Sequence, residues 1–326
     1  MFSALILRQE QNQTLAGIEQ IDESQLPQGD VLIDVDYSSL NYKDGLAITG
    51  KGKIIRNFPM VPGIDLSGTV AHSDNDRFQV GDKVVLTGWG VGENHWGGMA
   101  QRARLKSEWL VPLPEGLSSK QAMMVGTAGL TAMLCVETLI DSGIEPESGE
   151  ILVTGASGGV GSVAVTLLSQ LGYQVAAVTG RIEQNGPLLE QLGANHIIER
   201  SEFEQAAQPL EKQRWAGAID TVGSKVLAKV LSQMDYNGSV AACGLAGGFD
   251  LPSTVMPFIL RNVRLQGIDS VMCPTKKRVQ AWNKLAKLLP QSYFEQACTE
   301  IKLAQAPDYS EEITNGKVTG RVVIKL

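Results

Sequence analysis

The chain has few of the residues that build disulfide-rich or metal-dependent proteins. Cysteine occurs only at Cys135, Cys243, Cys273 and Cys298, with no pair at C-x-x-C spacing. That scatter excludes a disulfide framework and a cysteine-rich zinc lobe, and it favours a reducing compartment. Histidine is scarcer still: His72, His95 and His196 are the full set, none at H-x-x-x-H spacing. A catalytic zinc site is hard to assemble from so few ligands, so no metal is expected. Basic residues are outnumbered, 28 Lys and Arg against 35 Asp and Glu for a net charge of −7, which speaks against a nucleic-acid surface. Residues 151–180 carry no charge and are long enough to tempt a membrane assignment, since a span takes about 20 residues. Six glycines and several Ser, Thr and Gln interrupt that stretch, so it reads as buried strands flanking one helix and no membrane segment is expected. With Arg8 and Glu10 ahead of any long apolar run, an ordinary secretory signal is excluded and the expected location is the cytoplasm.

What remains is a glycine-rich globular chain of 326 residues, 43% apolar and 19% charged, with 35 glycines. The length predicts two domains, and the composition excludes disorder, coiled coil and collagen while implying many tight turns. Residues 1–124 read as short strands separated by turn signals, among them 4–7, 31–37, 68–71, 83–86 and 99–105. Beyond the Pro112-x-Pro114-Glu115-Gly116 connector the rhythm becomes strand and helix in alternation. Six strands at roughly 20-to-25-residue spacing predict an α/β, doubly wound parallel sheet over 125–271, with ligands beyond the carboxyl ends of the strands. The tail, 272–326, is expected to rejoin the first domain and cover its open edges.

The strongest local signal is Ile151-Leu152-Val153-Thr154-Gly155-Ala156-Ser157-Gly158-Gly159-Val160-Gly161. A buried strand ends there in small residues, and the next helix starts with unpaired N–H groups at its positive end, a site for a diphosphate. Ser157, Gly158, Gly159 and Val160 are therefore predicted to hold the pyrophosphate of a dinucleotide, and Gly161 to let the helix pack on the sheet. The same letters spell G-x-S-x-G, the nucleophile elbow of hydrolases, but no histidine follows Asp220 to complete the expected order of that triad. At the end of the second strand, where an acidic residue would accept from an NAD ribose, the chain reads Val178-Thr179-Gly180-Arg181. No carboxylate repels a 2′-phosphate and Arg181 offers a forked donor, so NADP (as NADPH) is preferred over NAD; Arg200 is a second candidate at the same rim. A glycine- and tryptophan-rich segment, Gly88 to Gly98 with Trp89, His95 and Trp96, reads as a lid or pocket wall or, equally, as an aromatic-stapled loop. Lys51, Lys53 and Arg56 form either a solvated basic loop or an anchor for an anionic substrate such as a coenzyme A phosphate.

Taken in order, Asn41-Tyr42-Lys43-Asp44, Pro62 to Gly68, Gly81 to Val84, the glycine loop and Gly320 to Val323 resemble the medium-chain dehydrogenase/reductase superfamily, in its zinc-free quinone-oxidoreductase-like branch. Longer strings, including Leu86 to Gly98 and Val255 to Gly267, resemble the bacterial NADPH-dependent acrylyl-CoA reductases. The resemblance implies a Rossmann NADP-binding domain beside a β-rich GroES-like catalytic domain, and a cytoplasmic homodimer. It places Asn41, Ile64 and Gly126 where zinc alcohol dehydrogenases carry ligands. It implies NADP contacts at Tyr42, Ser157 to Val160, Thr179 to Arg181, Arg200, Leu245, Ile259, Ser270 and Asn315. Asn41 and Tyr42 are then expected to position nicotinamide and substrate as the catalytic residues, and Lys51, Lys53, Arg56 and Trp96, from the basic loop and the tryptophan-rich segment, to contact the substrate. The implied reaction is reduction of the acrylyl-CoA carbon–carbon double bond to propanoyl-CoA; the alternatives are a quinone or general enone reductase and a non-catalytic NADPH sensor. The partner is then a small molecule, an enoyl-CoA or a quinone.

Overall fold

The computed structural model describes all 326 residues, Met1–Leu326. They fall into two compact units, one of Met1–Thr127, Ser270–Lys287 and Cys298–Leu326, the other of Ala128–Asp269 and Leu288–Ala297.

The first unit begins with β1 (Phe2–Glu10) and β2 (Gln13–Ile21), an antiparallel hairpin. Gln11 and Asn12 turn it with φ of 49° and 65°, the backbone that two-residue hairpin loops require. There follow β3 (Val31–Leu40), α1 (Tyr42–Thr49), β4 (Asp65–Ser73), β5 (Lys83–Thr87), β6 (Arg102–Leu105), β7 (Leu110–Pro112) and α2 (Ser119–Asp141). Helix α2 breaks its own geometry at Gly126, with φ 53° and ψ −159°, and its later turns belong to the second unit. It is long and apolar enough to cross a membrane, but 83% of its apolar window is buried inside the protein.

The second unit alternates as its sequence rhythm predicts: β8 (Ile151–Val153), α3 (Gly159–Gln170), β9 (Val175–Thr179), α4 (Ile182–Gln191), β10 (His196–Glu199), β11 (Trp215–Asp220), α5 (Ser224–Ser232), β12 (Met234–Ala242), α6 (Met256–Arg261) and β13 (Arg264–Gly267). The six strands run parallel in the order β10-β9-β8-β11-β12-β13, the doubly wound arrangement with its order reversing beside β8. β8 and β9 are buried at every residue, which is why they read as continuous apolar runs instead of alternating ones. Leu152, Val178, Trp215, Val230 and Leu231 centre this core, each contributing about 1.5–3 kcal/mol by full burial.

The chain then forms α7 (Thr275–Leu288), α8 (Gln291–Gln296), β14 (Cys298–Lys302), α9 (Ala306–Thr314) and β15 (Arg321–Lys325). β15 lies in the sheet of the first unit, between β14 and β3, in the order β14-β15-β3-β4-β5-β7 with β6 also on β3. Leu5, Leu7, Leu40, Met60, Val322 and Ile324 share one core there. Helices α1 and α9 approach so closely that a Cβ at Gly45 would lie 2.6 Å from the Ile313 side chain.

Candidate active site

In the second unit the loop after β8 is shaped by steric need. A Cβ on Gly155 (φ 58°) would stand 2.3 Å from Thr221 Oγ1, and one on Gly161 would stand 2.4 Å from the Gly155 carbonyl oxygen. These contacts draw the start of α3 onto the strand end. Gly158 precedes α3, and the first intrahelical donor is the Ser162 amide, which bonds the Gly158 carbonyl at 2.9 Å. The amides of Gly159, Val160 and Gly161 thus form the positive end of the helix, and the Cβ position of Gly158 meets nothing nearer than 3.3 Å. An anion can approach that backbone directly.

One strand away, Thr179 closes β9. Its hydroxyl lies 3.2 Å from the Ser157 hydroxyl and accepts from the Arg181 amide at 3.4 Å and from Asn185 Nδ2 at 3.4 Å. The Arg200 guanidinium lies over Gly180, where a Cβ would be 3.0 Å from its Cζ. Arg181 donates to Gln184 Oε1 at 3.3 Å and Arg200 to Glu204 at 2.9 Å, both on the surface. Ser157, Thr179, Gly180, Arg181 and Arg200 are therefore brought together around a rim with two guanidinium groups, an arrangement that can hold a phosphate. Leu245 follows β12 and Ile259 lies in α6; both are strongly exposed.

The first unit holds a buried polar network that the sequence motifs contain but do not announce. Asn41, just before α1, donates through Nδ2 to Asp65 at 2.9 Å and to Asp44 at 3.2 Å, while its Oδ1 accepts from Arg321 Nη1 at 3.0 Å. Asp65 also accepts from the Ser39 hydroxyl at 2.6 Å and from Thr127, through its amide at 2.9 Å and its hydroxyl at 2.5 Å. Arg321, on β15, lies 3.8 Å from Asp65 and donates to the carbonyls of Met124 and Met123. Asp44 accepts from the amides of Asn41, Gly63 and Ile64 at 2.9, 3.1 and 3.0 Å. Burial, reinforced by the charge of Asp65, pushes the Asp44 carboxyl up to about 7, although its hydrogen bonds oppose the rise. Asn41 is thus fully engaged within the protein, and Tyr42, the first residue of α1, is 40% exposed.

Around this network the other predicted residues are placed as follows. Trp96 is half-buried and gives its indole N–H to the Pro59 carbonyl at 3.1 Å. His95 bonds the Arg104 carbonyl at 2.8 Å, stacks edge-on against Trp109 and is made less basic by burial. Lys43 pairs with Glu93 at 2.8 Å, tying α1 to the 88–98 segment. Lys51 is neutralised by Glu311 at 2.6 Å and bonds Thr314, beside Asn315 at the end of α9; Lys53 and Arg56 are exposed. Ser270 is buried. The residues passed over in the sequence are Asp44, Asp65, Thr127 and Arg321. The one available signal was the Asn41-x-x-Asp44 spacing, in which an acidic third helical residue reaches back to the amide before the helix.

The family model for the alcohol dehydrogenase GroES-like domain matches residues 27–115, and that for zinc-binding dehydrogenase matches residues 159–289. The chain is 62% identical over 323 residues to "Probable acrylyl-CoA reductase AcuI" of Escherichia coli (strain K12), covering 99% of each. It is 52% identical over 327 residues to acrylyl-CoA reductase AcuI of Ruegeria pomeroyi, again covering 99% of each. Among solved structures, the yhdH oxidoreductase of Salmonella enterica in complex with NADP superposes with a TM-score of 0.98 at 65% identity, covering 99% of both chains.

The second family description raises zinc, and the side chains do not fit it. Asn41 has its amide committed to Asp65, Asp44 and Arg321, and Ile64 offers no ligating atom. A side chain at Gly126 would begin 2.5 Å from Asp65 Oδ2 and 2.6 Å from Arg321 Nη2. No three His, Cys, Asp or Glu side chains stand where they could hold a metal ion together. A buried ion pair and its hydrogen bonds fill the space between these residues.

Proposed function

Because the chain belongs to the medium-chain dehydrogenase/reductase superfamily, in the group that includes the AcuI acrylyl-CoA reductases, we propose that it reduces the carbon–carbon double bond of acrylyl-CoA to give propanoyl-CoA. When bound, NADPH supplies the hydride that adds to the β-carbon of the conjugated thioester, and a proton at the α-carbon completes saturation. The protein's task is to hold both partners and to stabilise negative charge on the thioester oxygen.

The amides of Gly159 and Val160, with Ser157 and Gly158, take the cofactor pyrophosphate. Thr179, Gly180, Arg181 and Arg200 take its 2′-phosphate, for which Arg200 leaves Glu204. Leu245, Ile259, Ser270 and Asn315 complete the cofactor contacts, an assignment supported by family likeness. Asn41 acts from within the buried network: it fixes the first turn of α1 and so the position of Tyr42, which contacts nicotinamide and substrate. The Tyr42 hydroxyl or solvent delivers the α-proton; unchanged single-turnover reduction by Tyr42→Phe assigns that step to solvent. Lys53 and Arg56, with Trp96 nearby as an apolar wall, receive the coenzyme A moiety, whereas Lys51 must first release Glu311.

The full-length relationship to the two AcuI proteins carries the substrate assignment. It is tested by following NADPH absorbance with acrylyl-CoA, crotonyl-CoA and a simple quinone in parallel. The highest kcat/KM is expected with acrylyl-CoA; a quinone advantage overturns the assignment, and NADPH binding without any turnover points to a sensor.

We further assign the protein to the cytoplasm, which its four cysteines, none of them in a disulfide, suit, and to a homodimer. β13 ends the six-stranded sheet with an open edge, and Phe249, Val255 and Leu260 expose apolar surface in the preceding segment, features that a second copy would cover. A monomer in analytical ultracentrifugation refutes the dimer.

A further inference from the structure

Helix α7 carries a fully buried arginine, Arg278, in a run that reads Lys276-Lys277-Arg278. One arm of its fork, Nη1, donates to the Thr87 carbonyl at 2.6 Å and to the Thr87 hydroxyl at 2.8 Å. The other arm, Nη2, donates to the carbonyls of Ser270, Val271 and Cys273 at 3.1, 3.1 and 3.2 Å. Its Cζ lies 4.9 Å from the centre of the Trp89 ring. The two loops so joined are packed to their limit: the Trp89 amide bonds the Val271 carbonyl at 3.1 Å, and a Cβ on Gly88 would stand 2.8 Å from the Val271 oxygen. Trp89 itself is held at φ 60°, a conformation uncommon for a bulky residue that persists only where its surroundings over-determine it.

Taking a guanidinium out of water is expensive, and converging carbonyl dipoles offset that cost only when the geometry is good. A planar, forked cation meets several carbonyls at once in a way that an ammonium cannot. The acceptors lie on two segments that the proposed function uses. One is 270–273, which contains the cofactor residue Ser270 and presents the exposed Met272; the other leads from β5 into the 88–98 segment that bears Trp96.

We infer that Arg278 is a positioning residue for the reduction, fixing the cofactor-contacting 270–273 segment and the head of the 88–98 segment in one geometry. This inference rests on the function proposed above. It requires that NADPH affinity, and not merely stability, depend on the fork of Arg278.

The test uses the full-length protein and NADPH. Arg278→Lys keeps a buried cation and loses the fork, Arg278→Met loses the donors, and Leu285→Val, at a buried site on the same helix, weakens packing alone. By fluorescence titration the NADPH Kd is expected to rise tenfold or more in both Arg278 variants and to stay within twofold of wild type in Leu285→Val. In hydrogen exchange the stretches 87–92 and 270–274 are expected to lose protection together. An Arg278→Lys protein that folds, binds NADPH within twofold of wild type and keeps that protection overturns the inference. So does a Leu285→Val protein whose Kd rises as much as that of Arg278→Lys. Should neither Arg278 variant fold, Thr87→Val removes one acceptor and leaves the arginine. It is expected to raise the Kd about threefold, and an unchanged value overturns the inference. Wild-type protein that fails to bind NADPH sinks the proposed function instead.

Discussion

Gly126→Ala tests whether the buried Asp65–Arg321 ion pair excludes any side chain at residue 126. At φ 53° and ψ −159° the backbone occupies a region that is essentially restricted to glycine, at a cost of about 1–3 kcal/mol for another residue. The new methyl would then lie 2.5 Å from Asp65 Oδ2, 2.6 Å from Arg321 Nη2 and 3.1 Å from Ser39 Oγ. None of these atoms can withdraw freely: Asp65 is bonded by Ser39, Asn41 and Thr127, and Arg321 by Asn41 and two backbone carbonyls. Overpacking of this kind costs about 1–3 kcal/mol, so the total is roughly 2–6 kcal/mol against a stability of about 5–15 kcal/mol. With about 2–4 °C lost per kcal/mol at this chain size, the melting temperature is expected to fall by several degrees to about 20 °C. Gly116→Ala is the control, because Gly116 also has a positive φ of 89° but an added Cβ meets nothing within 4 Å. Thermal denaturation of both variants separates clash from backbone strain. Equal losses at the two sites, or a fall of under 2 °C for Gly126→Ala, would refute the packing argument.

Three further outcomes are expected. Arg181→Ala and Arg200→Ala should each raise the NADPH KM about 10-to-100-fold, the worth of a charge-assisted hydrogen bond of about 1.5–3 kcal/mol, while sparing the NADH KM; equal losses with both cofactors in steady-state assays would remove the 2′-phosphate from this rim. Asp44 titrates at about 7 in the folded protein against an ordinary value of 3.8, so the folded state holds a proton that the unfolded chain releases between about pH 4 and 7. Its contribution to stability therefore falls as pH rises through that window, by an upper bound of about 4 kcal/mol. The melting temperature of Asp44→Asn relative to wild type should accordingly climb between pH 5 and 8, and a flat difference contradicts the buried-carboxyl reading. Dialysis against a strong zinc chelator should leave NADPH oxidation by acrylyl-CoA unchanged, since no three His, Cys, Asp or Glu side chains are grouped to hold a metal ion; activity lost to the chelator and restored by zinc would show the metal argument wrong.

The sequence exposed those parts of the molecule whose physics is local. Continuous burial makes β8 and β9 unbroken apolar runs, and the glycines after β8 mark a turn whose neighbours leave no room for a Cβ. The alternating rhythm then implies the parallel sheet. Elements decided by distant contacts were harder to find. β2 alternates weakly and is mostly exposed, so only its nine-residue register with β1 makes it a strand. β14 buries one residue fully, Ile301, and depends on β15 for its pairing. α1 is eight residues long, too short to stand alone in water, and it is held by Asp44 and by α9.

The same distinction separates what could and could not be read of the site. A phosphate-binding turn is specified by consecutive residues, because the amides that bind the anion belong to one strand–turn–helix unit. The buried polar network is assembled from β3, the start of α1, β4, the break in α2 and β15, with Arg321 and Asn41 separated by 280 positions. Nothing in the neighbourhood of an isolated Asp or Arg reveals a partner that far away, and by composition both residue types are expected at the surface. Arg278 makes the same point more sharply, since it follows two lysines in sequence yet is buried and donates to Thr87, 191 positions away. That Asn41, Ile64 and Gly126 make no zinc-binding set could be read from each residue's own atoms. The ion pair beside them could not, because a pair screened from water is defined by its whole surroundings.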